Sequence, residues 1–314
     1  MPLRTSRALG LVLGAALDAA FGDPRRGHPV AGFGRAARSL EGRLWADSRR
    51  RGAVFTGIAV GVPVVLAAAL ERRATNPVVR TVLTAAATWA VLGARSLAVE
   101  GRVMAALLAD AEGDGDLGPA RERLSHLAGR DPAGLDAAGL SRASVESLAE
   151  NTSDAVVAPL LWGAVAGVPG LVGYRAVNTL DAMVGHRSLR YERFGWASAR
   201  LDDVANFLPA RVSAALAALA GRRPSASLVA WRRDAGQHPS PNAGPVEAAF
   251  AGALGLRLGG ANVYAGRVED RGYLGDGRPP ARPDLERAVR LSVAVDALAV
   301  LLAGGVAWVL GRRR

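Results

Sequence analysis

The sequence contains no cysteine and no lysine. The first absence excludes disulfides, thiolate catalysis and cysteine-ligated metal. The second excludes a Schiff-base mechanism and the lysine of a P-loop, so any nucleotide site must be of another type. All 39 basic residues are therefore arginine, and against 28 acidic ones they leave a net charge of +11. Such an excess favours anionic lipid surfaces and anionic substrates. The arginines are scattered and accompany no recognition motif, so nucleic acid is not an expected partner. Aromatics form only 5% of a chain whose residues are half hydrophobic, which leaves Ala, Gly, Val and Leu to supply the apolar content.

That content is concentrated in windows. Residues 53–70 and 155–173 carry no charge, and residues 291–310 carry only Asp296. Each is close to the roughly 20 residues that cross hydrocarbon. Residues 81–99 form a fourth window with Arg95 near its end, and residues 8–20, which include Asp18, a shorter fifth. One such window fits a buried helix of a soluble protein; several together point to membrane spans. Arg4 and Arg7 before the first apolar run resemble a signal peptide, but the run passes directly into FGDPRRGHPV and no cleavage is expected. Arginines on every loop leave orientation open. Little β alternation is visible. The expected fold is all-α, a polytopic membrane helix bundle with a sizeable helical extramembrane part, read as one membrane-embedded domain over residues 1–314. Residues 155–173 hold Pro159, Gly163, Gly167, Pro169 and Gly170, so this segment is expected to be broken or re-entrant, bringing its flanking polar clusters to one face. An ordinary span that tolerates Pro and Gly is the alternative. Residues 21–51 read as a basic loop with eight arginines, Thr75, Asn76 and Pro77 as a turn between two helices, residues 268–284 as a surface loop, and His126 as a surface residue.

Residues 144–211 are unusual for a membrane protein, because ionisable groups near mid-bilayer cost about 2.5–3.5 kcal/mol each. Here carboxylates, amides and arginines flank an apolar segment. Glu146, Glu150 and Asp154 recur at i, i+4, i+8, which stacks three carboxylates along one helical face. With Asn151 they suit Mg²⁺, which bridges one or two carboxylates to substrate phosphates; simple solvation is the alternative. Arg175, Asn178 and Asp181 share a face at i, i+3, i+6 and are followed by His186; they form either a site or a clamp between helices. Asp202, Asp203 and Asn206 lie between Arg200 and Arg211. Adjacent carboxylates diverge on a helix, so one should accompany Asn206 while the other forms an ion pair. Ser240, Asn242 and Gly244 precede Pro245, which suits the first helical position. They would surround either an anion-binding helix N-terminus or a capped turn, and Glu247 fits the cap. Asp23 and His28 either act in binding and proton transfer or order a proline-rich turn.

These strings carry a family resemblance. GDP…HPV, SVESLAENTSDA, YRAVNTLDAMVGH, ARLDDVANFLPAR, HPSPNAGPVEAAFAGAL and the LGGANVYAG segment occur in order across nearly the whole chain. Together they resemble the adenosylcobinamide-phosphate synthase family of cobalamin biosynthesis, which are integral membrane proteins. The resemblance implies ATP-dependent ligation of a propionate carboxylate of adenosylcobyric acid to aminopropanol phosphate, or to free aminopropanol. A carboxylate is a poor acyl donor, so activation as an acyl phosphate is expected, with Mg²⁺ and arginines neutralising the transferring phosphoryl group. On that chemistry Glu146, Glu150, Asn151 and Asp154 would hold metal, with Asp181 or Asp202 assisting. Arg175, Asn178, Arg200, Asn206, Arg211 and the Ser240–Asn242–Gly244 turn would bind substrate or phosphate, and His186, His28, Asp181 and Asp202 would serve catalysis, the histidines as proton acceptors. Nucleotide supply would place the active face on the cytoplasmic side of the cell membrane, with other corrinoid-pathway membrane enzymes as possible associates. Without the family strings, a transporter of an anionic or corrinoid solute and a non-catalytic scaffold fit the same features.

Overall fold

The computed structural model describes residues 3–23, 27–125, 127, 132–186, 188–264 and 267–312, so His126 lies outside the described residues. Among the described residues the fold is all-α apart from one hairpin. In chain order the helices are α1 (Leu3–Phe21), α2 (Pro29–Leu44), α3 (Arg49–Arg73), α4 (Pro77–Val91), α5 (Ala94–Asp114), α6 (Gly118–Leu124) and α7 (Ala137–Thr152). They continue with α8 (Ala158–Ala166), α9 (Val168–Leu180), α10 (Trp196–Ala220), α11 (Pro224–Asp234), α12 (Ala243–Leu254) and α13 (Arg282–Arg312). Strands β1 (Leu258–Tyr264) and β2 (Arg267–Leu274) pair antiparallel. The chain forms two compact units. The first comprises Met1–Arg95, Asp154–Phe207 and Ala299–Arg314; the second comprises Ser96–Ser153 and Leu208–Leu298.

Among the described residues, three stretches are long and apolar enough to cross a membrane: α3, the α4–α5 stretch Pro77–Asp114, and Arg282–Gly311 of α13. On α3, Val54, Ile58, Val62, Val65, Leu66 and Leu70 form an exposed stripe at helical spacing, while Phe55, Ala59 and Ala67 are buried on the other side. An apolar stripe of this length left exposed fits a helix that faces lipid rather than water. The turn between α3 and α4 follows from its residues: Asn76 Oδ1 accepts the N–H groups of Val78 and Val79, and Pro77 occupies the first helical position. In the first unit α1 lies tightly on α4. A Cβ on Gly10 would sit 2.5 Å from Thr84 Cβ, and one on Gly14 2.4 Å from Thr88 Cβ. This close approach of small residues is how apolar helices gain packing without a hydrophobic drive.

The apolar segment 155–173 does not cross as one helix. It breaks at Gly167, whose φ of 70° and ψ of −148° belong to glycine. The chain then folds back on itself: a Cβ on Gly170 would lie 2.2 Å from the Trp162 carbonyl oxygen, so α8 and α9 pack as a hairpin. The reversal at Gly167 makes the segment a broken hairpin, so its apolar residues do not form one spanning helix. Its tip is held by charge. Arg7 donates to the carbonyls of Ala164 and Val165, and Glu71 lies 3.6 Å from Arg7 and 3.4 Å from Arg80. From the tip α9 runs antiparallel to α3, with Gly173 against Val64 and Leu180 and Val184 packed with Phe55 and Ala59. The open end of the hairpin therefore lies toward the N-terminal half of α3.

Two expectations need correction. Residues 21–51 are not simply a loop, because 29–44 are helical. Val30, Phe33, Ala37, Leu40 and Leu44 recur at three- and four-residue spacing, a helical face that the density of arginines obscured. Residues 268–284 are not simply a surface loop either, since β2 occupies their start. Gly259 and Gly260 both have φ near 81° and a register irregularity lies between Gly259 and Ala261, which hides the period-two pattern. One further difference is small: α12 begins at Ala243, two residues before Pro245.

Candidate functional site

In the first unit the hairpin is flanked at its open end by two π turns, Ser153–Val157 and Asp181–Gly185. Each inserts an extra residue into a helix and re-aims the side chains around it, a device common at functional sites. The turns carry Asp154 and Asp181. Asn178, one turn before Asp181, donates to Asp154 Oδ2 at 3.3 Å, which joins the two ends of the hairpin. From α10, Asp202 accepts the Asn206 amide at 3.0 Å, and Asn206 in turn accepts the buried Tyr174 hydroxyl at 2.8 Å. Asp202 Oδ1 is buried and accepts no hydrogen bond among the described residues. Burial pushes the Asp202 carboxyl up to about 7, with the Asp181 charge adding to the shift and the Asn206 and Asn178 amides opposing it. Burial likewise pushes Asp181 up to about 6, reinforced by Asp203. Asp203 itself diverges from Asp202 and pairs with exposed Arg200 at 3.3 Å, as the spacing of adjacent helical residues requires.

Arg175 belongs to this neighbourhood but is committed elsewhere. Its guanidinium donates through Nε and Nη2 to the Val91 carbonyl at the end of α4, and Nη1 reaches Asn178 at 3.4 Å. Of its two readings, the clamp is the one its contacts describe. His28 caps α2: its Nδ1 accepts the Val30 N–H at 3.1 Å, so a neutral ring carries its proton on Nε2, 3.4 Å from Asp23. Its lone pair is thus occupied. His186 is exposed, its ring edge-on to Tyr191 at 5.0 Å.

The second unit holds a different cluster. Glu146 and Glu150 stand on α7, where Glu146 is fully buried and accepts the Gly259 N–H at 2.8 Å. Gly259 is required there, since a Cβ would lie 2.1 Å from the Gly272 carbonyl oxygen. Glu150, His238 and Glu247 have ligand-type atoms within 4.8 Å of one another. Arg271 of β2 lies 3.8 Å from Glu150 and 3.9 Å from Glu247. Desolvation, with Glu150 and Glu146 nearby, raises the Glu247 carboxyl well above the usual carboxylate range. Asn151 donates to the Ser147 carbonyl within its own helix. Ser240 Oγ accepts the N–H groups of Asn242 and Ala243, the geometry of a capped turn, while Gly244 packs where a Cβ would meet the Ala235 carbonyl at 2.3 Å. Arg211 donates to Asn242 Oδ1 and the Pro241 carbonyl, both at 3.3 Å. Of the four residues expected to hold Mg²⁺, Glu146, Glu150 and Asn151 belong to this unit and Asp154 to the first.

His238, Glu247 and Arg271 were not read as site residues from the sequence. Glu247 passed as a cap, yet it is the single charged residue of a helix that is otherwise Ala, Gly, Val, Phe, Leu and Pro. A lone carboxylate in so apolar a stretch was the available signal, because an ionised group is not buried there without a partner.

The family described as CobD/Cbib protein matches residues 11–292. The cobalamin biosynthesis protein CobD of Mycobacterium tuberculosis (strain CDC 1551 / Oshkosh) is 55% identical over 304 residues, covering 95% of this chain and 95% of that protein. The cobalamin biosynthesis protein CobD of Stutzerimonas stutzeri is 45% identical over 304 residues, covering 94% and 97%. That of Rhodobacter capsulatus is 43% identical over 293 residues, covering 90% and 91%. No solved structure matches the chain.

Proposed function

Since the chain belongs to the CobD/Cbib protein family, we propose that it serves cobalamin biosynthesis as a membrane-embedded, ATP-dependent amide ligase. Its substrates are a propionate carboxylate of adenosylcobyric acid and the amine of aminopropanol phosphate, and its product is adenosylcobinamide phosphate. The carboxylate attacks the terminal phosphorus of ATP, ADP leaves, and an acyl phosphate forms. The amine then attacks the acyl carbon, phosphate departs, and one proton must be taken from the nitrogen. The observation that carries the reading is the carboxylate group at the open end of the hairpin, above all Asp202 with its buried, unengaged oxygen.

A base for an amine near neutral pH works best when its own pKa lies close to the working pH, a condition that the Asp202–Asp181 pair meets. His28 has its lone pair in a helix cap. Asn206 and Tyr174 hold Asp202 in one orientation, and Asn178 keeps Asp154 beside the same turn of α9. Asp154 suits the Mg²⁺ that accompanies ATP, because that ion needs only one or two protein carboxylates besides phosphate oxygens and water. When bound, Mg²⁺ supplies charge neutralisation of the transferring phosphoryl group. A broken hairpin with polar ends also suits a transporter. Turnover separates the two. Purified protein in detergent, given both substrates, ATP and Mg²⁺, should release the amide product, read by mass spectrometry with each amine. Absence of product with both amines would remove the ligase reading.

A further inference from the structure

We propose that Glu150, His238 and Glu247 form a site for one first-row divalent ion of the manganese-to-zinc group. This goes beyond the ligation reading and does not rest on it. Their ligand atoms lie within 4.8 Å of one another, drawn from α7, from the turn before α12 and from α12 itself. A cluster of acids alone would not suffice, but Glu247 adds an independent observation. Its side chain is fully buried, and neither carboxylate oxygen receives a hydrogen bond among the described residues. Its neighbours are His238 Nε2 at 3.5 Å and Arg271 at 3.9 Å, both beyond ordinary charge-assisted hydrogen bonds. Held ionised, such a carboxylate is costly, and a cation bound between it and the neighbouring Glu150 carboxyl offsets that cost as a shared proton otherwise would.

Charge points the same way. Arg271 lies against both Glu150 and Glu247, so once both carboxyls are ionised the pair carries one negative charge more than this cation balances, and a bound divalent ion would favour that ionised state. The donor set chooses among such ions. Mg²⁺ and Ca²⁺ prefer oxygen alone, whereas an imidazole with carboxylates suits Mn²⁺, Fe²⁺, Co²⁺ or Zn²⁺. His238 would ligate through Nε2. Its Nδ1 accepts the Ser240 N–H at 2.9 Å, so a neutral ring carries its proton on Nε2, and metal binding requires that proton to move to Nδ1, which then donates to the Ser240 carbonyl 3.3 Å away. A backbone carbonyl behind a ligating histidine is the usual way its tautomer is fixed. Bonds of about 2.0–2.2 Å set neighbouring ligand atoms about 3–3.5 Å apart, so closure needs a shift of about 1 Å. Glu150, the least buried of the three, has room to supply it.

The test uses the full-length chain in detergent, stripped with a chelator and titrated with Mn²⁺ in the absence of nucleotide and corrinoid. Loss of the free-ion paramagnetic resonance signal counts bound ions, and spin-echo modulation detects a coordinated imidazole nitrogen. We expect one ion per chain, nitrogen modulation, retention against a hundredfold excess of Mg²⁺ and displacement by Zn²⁺. Glu150→Gln, on the least buried ligand, should weaken binding about 10–100-fold at unchanged thermal stability, and Glu247→Gln and His238→Gln at least as much. No stoichiometric binding, binding without nitrogen modulation, or unchanged affinity in Glu150→Gln would overturn the site. Because no substrate is present, failure here is separable from failure of the ligase reading.

Discussion

Replacing Asp202 by Asn should make the protein more stable and less active at once. The carboxyl titrates near 7 in the folded protein against about 3.9 in an unfolded chain. Between those values the folded state holds the extra proton, so folding is favoured in acid and stability is lost as pH rises toward 7 and then levels off. Three units at about 1.4 kcal/mol each amount to on the order of 4 kcal/mol at pH 8, shared with Asp181 because the two charges repel. Asn at this position keeps an oxygen for the Asn206 amide and removes the charge. Thermal unfolding in detergent from pH 5 to 8 should show the wild type weakening with pH. The variant should gain on the order of 2–4 kcal/mol at pH 8 and about 1 kcal/mol at pH 5. Amide formation should fall by about 10²–10⁴-fold, the usual loss of a proton acceptor. A variant less stable than wild type at pH 8, or a wild type whose stability rises from pH 5 to 8, would refute the reasoning.

Gly167→Ala tests the hairpin turn: its φ and ψ disfavour any side chain, and a Cβ would lie 2.5 Å from Glu71 Oε1. Strain of about 1–3 kcal/mol, plus disturbance of the Arg7–Glu71–Arg80 group, should lower the unfolding temperature, and an unchanged value would argue against the reversal at this residue. His28→Ala should cost about 1 kcal/mol through loss of the α2 cap while leaving the pH dependence of turnover in place. Disappearance of the limb near pH 6–7 in that variant would return the proton-accepting role to His28.

The sequence made some of this architecture readable because the relevant rules are local. Apolar windows of near-spanning length, carrying at most one charge, mark α3 and α13, and Asn76 with Pro77 marks the start of α4. The break in 155–173 follows from its Pro and Gly, although only the folded structure identifies Gly167 as the point of reversal. Helical spacing alone separates Asp202, beside Asn206, from Asp203, beside Arg200. What was not readable depends on contacts distant in sequence. Glu247 lies 97 positions beyond Glu150 by the shared numbering, and nothing local to either says that they meet. Helix α2 and the β hairpin were hidden for another reason: arginines and glycines dominate their composition and mask the period beneath.

The central claim is that this protein activates a carboxylate with ATP and passes it to an amine. It is tested most directly by isotope transfer from adenosylcobyric acid carrying ¹⁸O in the reacting carboxylate. Ligation through an acyl phosphate must deliver one labelled oxygen to inorganic phosphate for each amide formed, with one ADP released. Amide formation without ATP, or with label found in AMP and none in phosphate, would contradict the account.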